Sequence, residues 1–269
     1  MKLSVVLFTF WPGEETYIEA CLQTIRPLAD EIIVIDNGAT PQTLKVIKKY
    51  TDKVYASSAA DFAARHNLGT QKAIGDWILY IDGDERVSQK LALEIKTTLA
   101  NPKASAYQLR RVNFFLGKEV RFGDRYPDFV TRLFKKSDLS GWEGEIHESS
   151  KVKGEIGVLK APLYHLTHRD VYSMMEKTIN FSEAEAKLRL AAGHPPIVGW
   201  RLLRVLFSEL WTRLIRYQGV RGGTEGWIDG IFQAFSLFIV YVRLWEFQRQ
   251  PPLSKTYQEI DKKIVSGEL

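Results

Sequence analysis

The sequence predicts an α/β fold: a mostly parallel sheet flanked by helices, with a helical extension at the C-terminal end. Three observations predict it. Continuous short apolar runs alternate with capped amphipathic stretches over the first hundred residues, the fourth of those runs ends in three carboxylates, and the pattern from about residue 170 onward is helical.

The strands come first. "LSVVLFTF" (3 to 10), "EIIVIDNG" (31 to 38), "KVYAS" (53 to 57) and "DWILYIDGD" (76 to 84) are unbroken apolar runs, the signature of parallel strands covered on both faces. Between them, "EETYIEACLQTIRPL" is helical until Pro27, and "TPQTLKVIKKY" has Thr40 as N-cap with Pro41 at the first helical position. "DFAARHNLGTQKAIG" opens at Asp61 and stops at Gly75. Ser88 begins a further helix. The order is βαβαβαβ, a doubly wound, Rossmann-like sheet, in which ligands bind beyond the carboxyl ends of the strands. Thr9, Asp36, Asp82 and Asp84 fall there.

From about 104 to 165, "SAYQLRRVNFFLGKEVRFG", "DFVTRLFKK" and "GEIGVLKAPLYHL" alternate better and carry glycine turns. They predict shorter, partly antiparallel strands that complete the sheet. We therefore expect one domain over 1–168 and a helical region over 169–269 that is membrane-interfacial or dimerising. In the latter, "WRLLRVLFSELWTRLIRY" gathers Arg201, Arg204, Ser208, Thr212, Arg213 and Arg216 on one side and Leu203, Leu206, Phe207, Leu210, Trp211 and Leu214 on the other. That pattern suits either a membrane interface or a helix laying its apolar face on a core. "IFQAFSLFIVYVRLWEF" (231 to 247) has too short an uninterrupted apolar run to span a bilayer, so it belongs in the interface, in a dimer contact or in the core.

The bulk numbers narrow the classes. A composition of 45% apolar and 26% charged residues with seven Trp describes a folded globular chain. One cysteine, Cys21, excludes an internal disulfide and a Cys-based zinc site; it fits a cytoplasmic protein and reads as a small core residue. The first apolar run is too short for a membrane span and has no cleavage pattern, so we read a buried strand rather than a signal peptide. The net charge of +5 suits anionic partners, but the arginines cluster with Trp and Leu on one amphipathic stretch, which argues against nucleic acid.

Asp82, Asp84 and Glu85 carry the chemistry. Residues i and i+2 of an extended chain share a face, so the carboxylates of Asp82 and Asp84 converge. Like charges this close demand a cation or ligand, and oxygen ligands suit Mg²⁺ or Mn²⁺ shared with a diphosphate. Gly83 lets the backbone approach such a ligand. Helix capping alone would need one acid rather than three.

"LSVVLFTF", Asp36 and "IGDWILYIDGDE" resemble glycosyltransferase family 2, inverting nucleotide-sugar-dependent enzymes of the GT-A fold. "ADEIIVIDNG", "GDWILYIDGDERVS", "AYQLRRVNFFLGKEVRFG", "YPDFVTRLFKK" and "IHE" resemble the bacterial lipopolysaccharide-core β-glucosyltransferases in particular, over roughly residues 1 to 247. The resemblance implies that Thr9 and Phe10 line the nucleotide pocket, that Asp36 binds base or ribose, that Asp82 contacts ribose or metal, and that Asp84 ligates a metal bridging the diphosphate. Arg65 in "ARHNLG" stands near the family's Arg-Asn pair as a candidate for base or phosphates, against a solvated helix residue. The chain departs from the family at Trp11-Pro12-Gly13-Glu14-Glu15 and in "DNGATPQT", which lacks a second acid.

Inversion needs a base at the acceptor hydroxyl. Glu148 is favoured because it stands where related enzymes keep their acceptor-side acid; Asp128 is the second candidate. His147 is a metal ligand, an acceptor-positioning group or a structural histidine. His165 and His168 are spaced i, i+3 but follow a strand and lack further ligands, which argues against zinc. Arg110, Arg111 and Arg132 hold phosphates or an anionic acceptor, or are solvated. "RGGTEGWIDG" (221 to 230) reads as a structural or acceptor loop.

The expected function is transfer of a hexose, glucose by the resemblance, from a nucleotide-sugar, a UDP-sugar first, to a lipopolysaccharide-core or other envelope glycan or glycolipid, in the cytoplasm and at the inner face of an anionic membrane. A homodimer is a further option. The rival readings are a sugar-phosphate nucleotidyltransferase, for which "TFWPGEE" is too acidic to cradle a triphosphate, and a non-catalytic membrane-surface adaptor.

Overall fold

The computed structural model describes residues 1–9, 14–57, 62–123, 126–144 and 149–268. The chain divides into two compact units, Met1–Glu119 with Pro127–Thr167, and Val120–Tyr126 with His168–Leu269.

The first unit holds strands β1 (Leu3–Thr9), β2 (Glu31–Asp36), β3 (Val54–Ala56), β4 (Trp77–Asp82), β5 (Glu85–Val87), β6 (Ala106–Phe115), β7 (Lys118–Glu119), β8 (Asp128–Lys135), β9 (Leu139–Glu143), β10 (Ser149–Val152) and β11 (Ile156–Thr167). Its helices are α1 (Ile18–Ile25), α2 (Pro41–Ile47), α3 (Phe62–Lys72) and α4 (Gln89–Ala100). Among the described residues nine strands form one sheet in the order β3-β2-β1-β4-β8-β6-β11-β5, with β7 beside β6; β9 and β10 form a separate pair. Pairing is parallel from β3 to β4 and between β6 and β11, and antiparallel where β8, β5 and β7 join. This is the mixed, mostly parallel sheet flanked by helices that the apolar runs predict.

Alternation within those runs builds two cores. Leu3, Val5 and Leu7 of β1 face one layer with Ile18, Leu22 and Ile25 of α1 and Leu91, Ile95 and Leu99 of α4. Val6 and Phe8 face the other with Ala63 of α3, Ile78, Tyr80, Phe134 and Trp142. Helix α3 lies close on β1, since a Cβ at Gly69 would be 2.6 Å from Val6 Cγ1. The caps form as read: Thr40 accepts from the Thr43 N–H and Ser88 from the Leu91 N–H. Asp61 lies outside the described residues.

The strands between 104 and 165 are longer than their glycine turns suggested, ten residues in β6 and twelve in β11. They bulge instead of ending. β11 shifts register between Leu159 and Pro162, and the N–H groups of Lys160 and Ala161 released there bond both carboxylate oxygens of Glu94 on α4, at 3.0 and 2.8 Å. A proline, which lacks an N–H, is thus accommodated inside the strand.

The second unit holds α5 (Val171–Ala191), α6 (Gly199–Trp211) running into a π-helical turn at Thr212–Arg216, α7 (Gly223–Gln248) and α8 (Leu253–Ser266). Asp170 caps α5, accepting from the Ser173 N–H at 2.7 Å. Ala186, Ile197, Val240 and Leu244 make a small core. The glycine-rich stretch before α7 is packed tightly: a Cβ at Gly226 would lie 2.1 Å from the Gly219 carbonyl oxygen. α7 is 26 residues long and, by length and composition, apolar enough to cross a membrane, a test that core helices of soluble proteins also meet. The stretch 231 to 247 read from the sequence lies wholly within this helix, which begins eight residues earlier at Gly223.

Candidate functional site

β4 ends at Asp82, turns through Gly83 and Asp84, and leaves as β5 from Glu85. The turn is fixed from within. The Asp82 N–H donates to Glu85 Oε2 at 3.0 Å, the Cys21 thiol of α1 donates to the Asp82 carbonyl at 3.6 Å, and Arg86 donates to the Gly83 carbonyl at 2.9 Å. Cys21 is the buried core residue expected of it, and burial pushes its thiol up. Gly83 answers no demand of the chain's own packing: a Cβ there would meet nothing closer than 3.8 Å.

The three acids have different surroundings. The Glu85 side chain is completely buried, that of Asp82 is 25% exposed and that of Asp84 is 21% exposed. The guanidinium of Arg132, on β8, bonds Asp82 Oδ2 and lies 3.4 Å from Glu85 Oε1, while Arg111 Nη1, on β6, lies 3.7 Å from the same Glu85 oxygen. Burial raises the Glu85 carboxyl above its usual range and Arg132 pulls against that. The charge conflict that the sequence appeared to leave to a bound cation is therefore answered first by two arginines. Neither is a solvated surface residue, whereas Arg110 is exposed.

Strand register continues the network. β6 faces β8 with Arg111 opposite Asp128, and β11 faces β6 with His165 opposite Asn113. Asp128 Oδ2 accepts from Arg111 Nε at 2.7 Å and Asn113 Nδ2 at 2.8 Å. Asn113 Oδ1 lies 2.6 Å from His165 Nδ1, and His165 Nε2 lies 3.4 Å from Asp84 Oδ2. Contacts thus run from Asp84 through His165, Asn113, Asp128, Arg111, Glu85 and Arg132 to Asp82. Among the described residues no three His, Cys, Asp or Glu side chains surround a common point. A cation at this turn would take a carboxylate oxygen of Asp84, with water and ligand oxygens completing its sphere, an oxygen set that fits Mg²⁺ or Mn²⁺; His165 Nε2 beside it would add a nitrogen donor that Mg²⁺ does not favour.

The other predicted residues separate into groups. Thr9 and Asp36 end the paired strands β1 and β2, and Asp36 Oδ1 accepts from the Thr9 hydroxyl at 3.0 Å and from the Gly38 and Ala39 N–H groups at 3.1 and 2.8 Å. Arg65 is only 7% exposed, with its guanidinium 5.0 Å from the Phe62 ring centre, so the solvated alternative does not hold. Asn67 brackets the Trp142 backbone, accepting from its N–H at 2.9 Å and donating to its carbonyl at 3.0 Å. His66 is buried among Phe8, Tyr80 and Trp142, with ring centres 4.4, 5.1 and 4.2 Å away. Burial pushes its pKa down to about 4 against the hydrogen bond from Nδ1 to the Phe62 carbonyl. Phe10, His147 and Glu148 lie outside the described residues.

Reading the sequence missed Asn113 as the bridge between Asp128 and His165, and Arg86 as the brace of the turn. It named Arg111 and Arg132 without their partners. The one local signal was "DERV", in which Glu85 and Val87 both face inward while Arg86 does not.

A model of glycosyl transferase family 2 matches residues 4–150. An uncharacterised glycosyltransferase of Rickettsia typhi is 25% identical over 261 residues, 91% of this chain and 87% of that one. The lipopolysaccharide core biosynthesis glycosyltransferase LpsC of Rhizobium meliloti is 22% identical over 260 residues, 91% and 93% of the two chains. The crystal structure of Staphylococcus aureus TarS 1-349 in complex with UDP-GlcNAc matches 94% of this chain and 93% of that one at 15% identity and a TM-score of 0.49.

Proposed function

The chain belongs to glycosyl transferase family 2, and on that premise we propose that it moves a hexose, glucose in our reading, from a UDP-sugar to a lipopolysaccharide-core or other envelope glycan or glycolipid, with inversion and metal assistance. Residues 1–168 are the donor-binding catalytic domain and 169–269 an appended helical region. The name borne by the Rhizobium relative favours the envelope acceptor. The lone, buried cysteine favours a cytoplasmic enzyme.

One observation carries the reading. Arg132 pairs with Asp82 and lies against Glu85, Arg111 stands near Glu85 while bonding Asp128, and Asp84 stands beside a histidine nitrogen at the end of β4. That division gives the carboxylates separate tasks. Asp82, oriented by Arg132, meets the ribose; Asp84, beside His165, holds the divalent ion. When bound, the ion neutralises charge on the departing nucleoside diphosphate. Thr9, Phe10 and Asp36 hold the base and ribose, with Arg65 as a further phosphate or base contact. Glu148 takes the acceptor hydroxyl proton as that oxygen bonds the anomeric carbon and the carbon–oxygen bond to the diphosphate breaks on the opposite face. Asp128 is the weaker candidate for this step, because Arg111 and Asn113 already engage one of its oxygens. His147 serves the metal or the acceptor.

The test is donor turnover. Purified protein with Mn²⁺ or Mg²⁺ should slowly hydrolyse a UDP-sugar, and Asp84→Asn should lower that rate by roughly 10²–10³-fold. An unchanged rate in the variant would remove the metal role given to Asp84. Vesicle binding without any donor binding would favour the adaptor reading instead.

A further inference from the structure

Helix α6 has two apolar faces. One packs inward, with Val205 buried and Leu202 against the small core formed with α7. The other does not: Trp200, Leu203, Phe207 and Trp211 are 58, 57, 64 and 65% exposed, and Ile215 extends the line into the π-helical turn. At about 100° per residue these four side chains share one stripe, roughly three turns long, with a tryptophan at each end. Arg204 adjoins the stripe, and the guanidinium groups of Arg201 and Arg204 lie 5.1 and 5.7 Å from the Trp200 ring centre. Of the side read from the sequence as either membrane-interfacial or core-facing, Leu203, Phe207 and Trp211 do not pack inward. The arginines border an apolar face that the fold leaves outside.

We propose that this outer face of α6 seats the protein on an anionic phospholipid surface, with the rings at headgroup depth and the arginines on phosphates. The argument is charge complementarity. Residues 199 to 217 contain Arg201, Arg204, Arg213 and Arg216 against one acid, Glu209, and Arg213 Nε engages that acid at 2.6 Å. Arg201, Arg204 and Arg216 have no carboxylate partner among the described residues. A second copy would bring the same unanswered arginines, whereas a phosphatidylglycerol surface supplies anions at the depth where Trp, Phe and Leu are buried. This deepens the envelope-acceptor reading, and its test is independent of donor chemistry, so either can fail alone.

The experiment is sedimentation of the full chain with vesicles of phosphatidylcholine alone or with added phosphatidylglycerol. Binding should be at least about tenfold tighter with phosphatidylglycerol and should weaken with salt. The double variant Phe207→Ser/Trp211→Ser should lose about tenfold in vesicle affinity with its thermal midpoint unchanged. Arg204→Ser/Arg216→Ser should lose the preference for the anionic lipid. Three results overturn the proposal: equal binding to both vesicles, binding untouched by either variant and resistant to alkaline carbonate (which would point to α7), or no vesicle binding, in which case a dimer that Phe207→Ser/Trp211→Ser disrupts would assign the face to a second copy.

Discussion

The first unit carries its misfits inside and the second carries them outside. Around β4, two dense cores enclose Glu85, His66 and Arg65, ionisable groups that burial penalises unless something answers them. Around α6 and α7, four buried residues make the core, while tryptophans, leucines and phenylalanines face solvent. Ordinary packing produces neither in quantity, because charged groups are seldom buried unpaired and contiguous apolar faces seldom stay wet. On the readings proposed above, the contrast separates two kinds of work: buried carboxylates held by arginines belong to the chemistry, and uncovered apolar surface belongs to contact with a membrane.

The contrast can be broken most forcefully at Arg132. Arg132→Met would leave Asp82 without its arginine and Glu85 with Arg111 alone at 3.7 Å, and should lower unfolding stability by about 3–5 kcal/mol in a denaturant titration. Adding Glu85→Gln should recover part of that loss; no recovery would mean that Arg132 matters through packing. The next largest effect concerns His66. Its folded pKa of about 4 lies below its ordinary 6.5, so the stability it contributes is complete above about 6.5 and is lost as the pH falls toward 4. The stability difference between the native protein and His66→Phe should shrink by about 3 kcal/mol across that window. Glu85 works with the opposite sign: its raised pKa favours the folded state at low pH and loses that contribution as the pH rises through the folded value. It is common to both proteins and drops out of the comparison. A pH-independent difference would show that the imidazole is not buried as a neutral ring. The smallest effect sharpens the other side: Trp211→Ser, on the exposed face, should change unfolding stability by less than about 0.5 kcal/mol.

What the sequence made legible was local. Unbroken apolar runs gave the four parallel strands, Thr40 and Ser88 announced their helices through side-chain caps, and Asp82, Asp84 and Asp36 fell at strand ends because a strand's end follows from its length. What stayed hidden depends on register between distant segments. Asn113 meets His165 across 52 positions and Arg132 meets Asp82 across 50, and nothing near either residue in the chain encodes the partner. The α6 pattern left two readings open for a related reason: periodicity tells which residues share a face but not which of two apolar faces the neighbouring helix will cover.

The Glu94 carboxylate at the β11 bulge acts as a latch on alignment. By gripping Lys160 and Ala161 just before Pro162, it sets the frame in which the remainder of the strand is read, and His165 inherits its position opposite Asn113 from that frame. Because side chains alternate between the faces of a strand, one residue inserted between the latch and His165 would turn the histidine to the other face and away from Asp84.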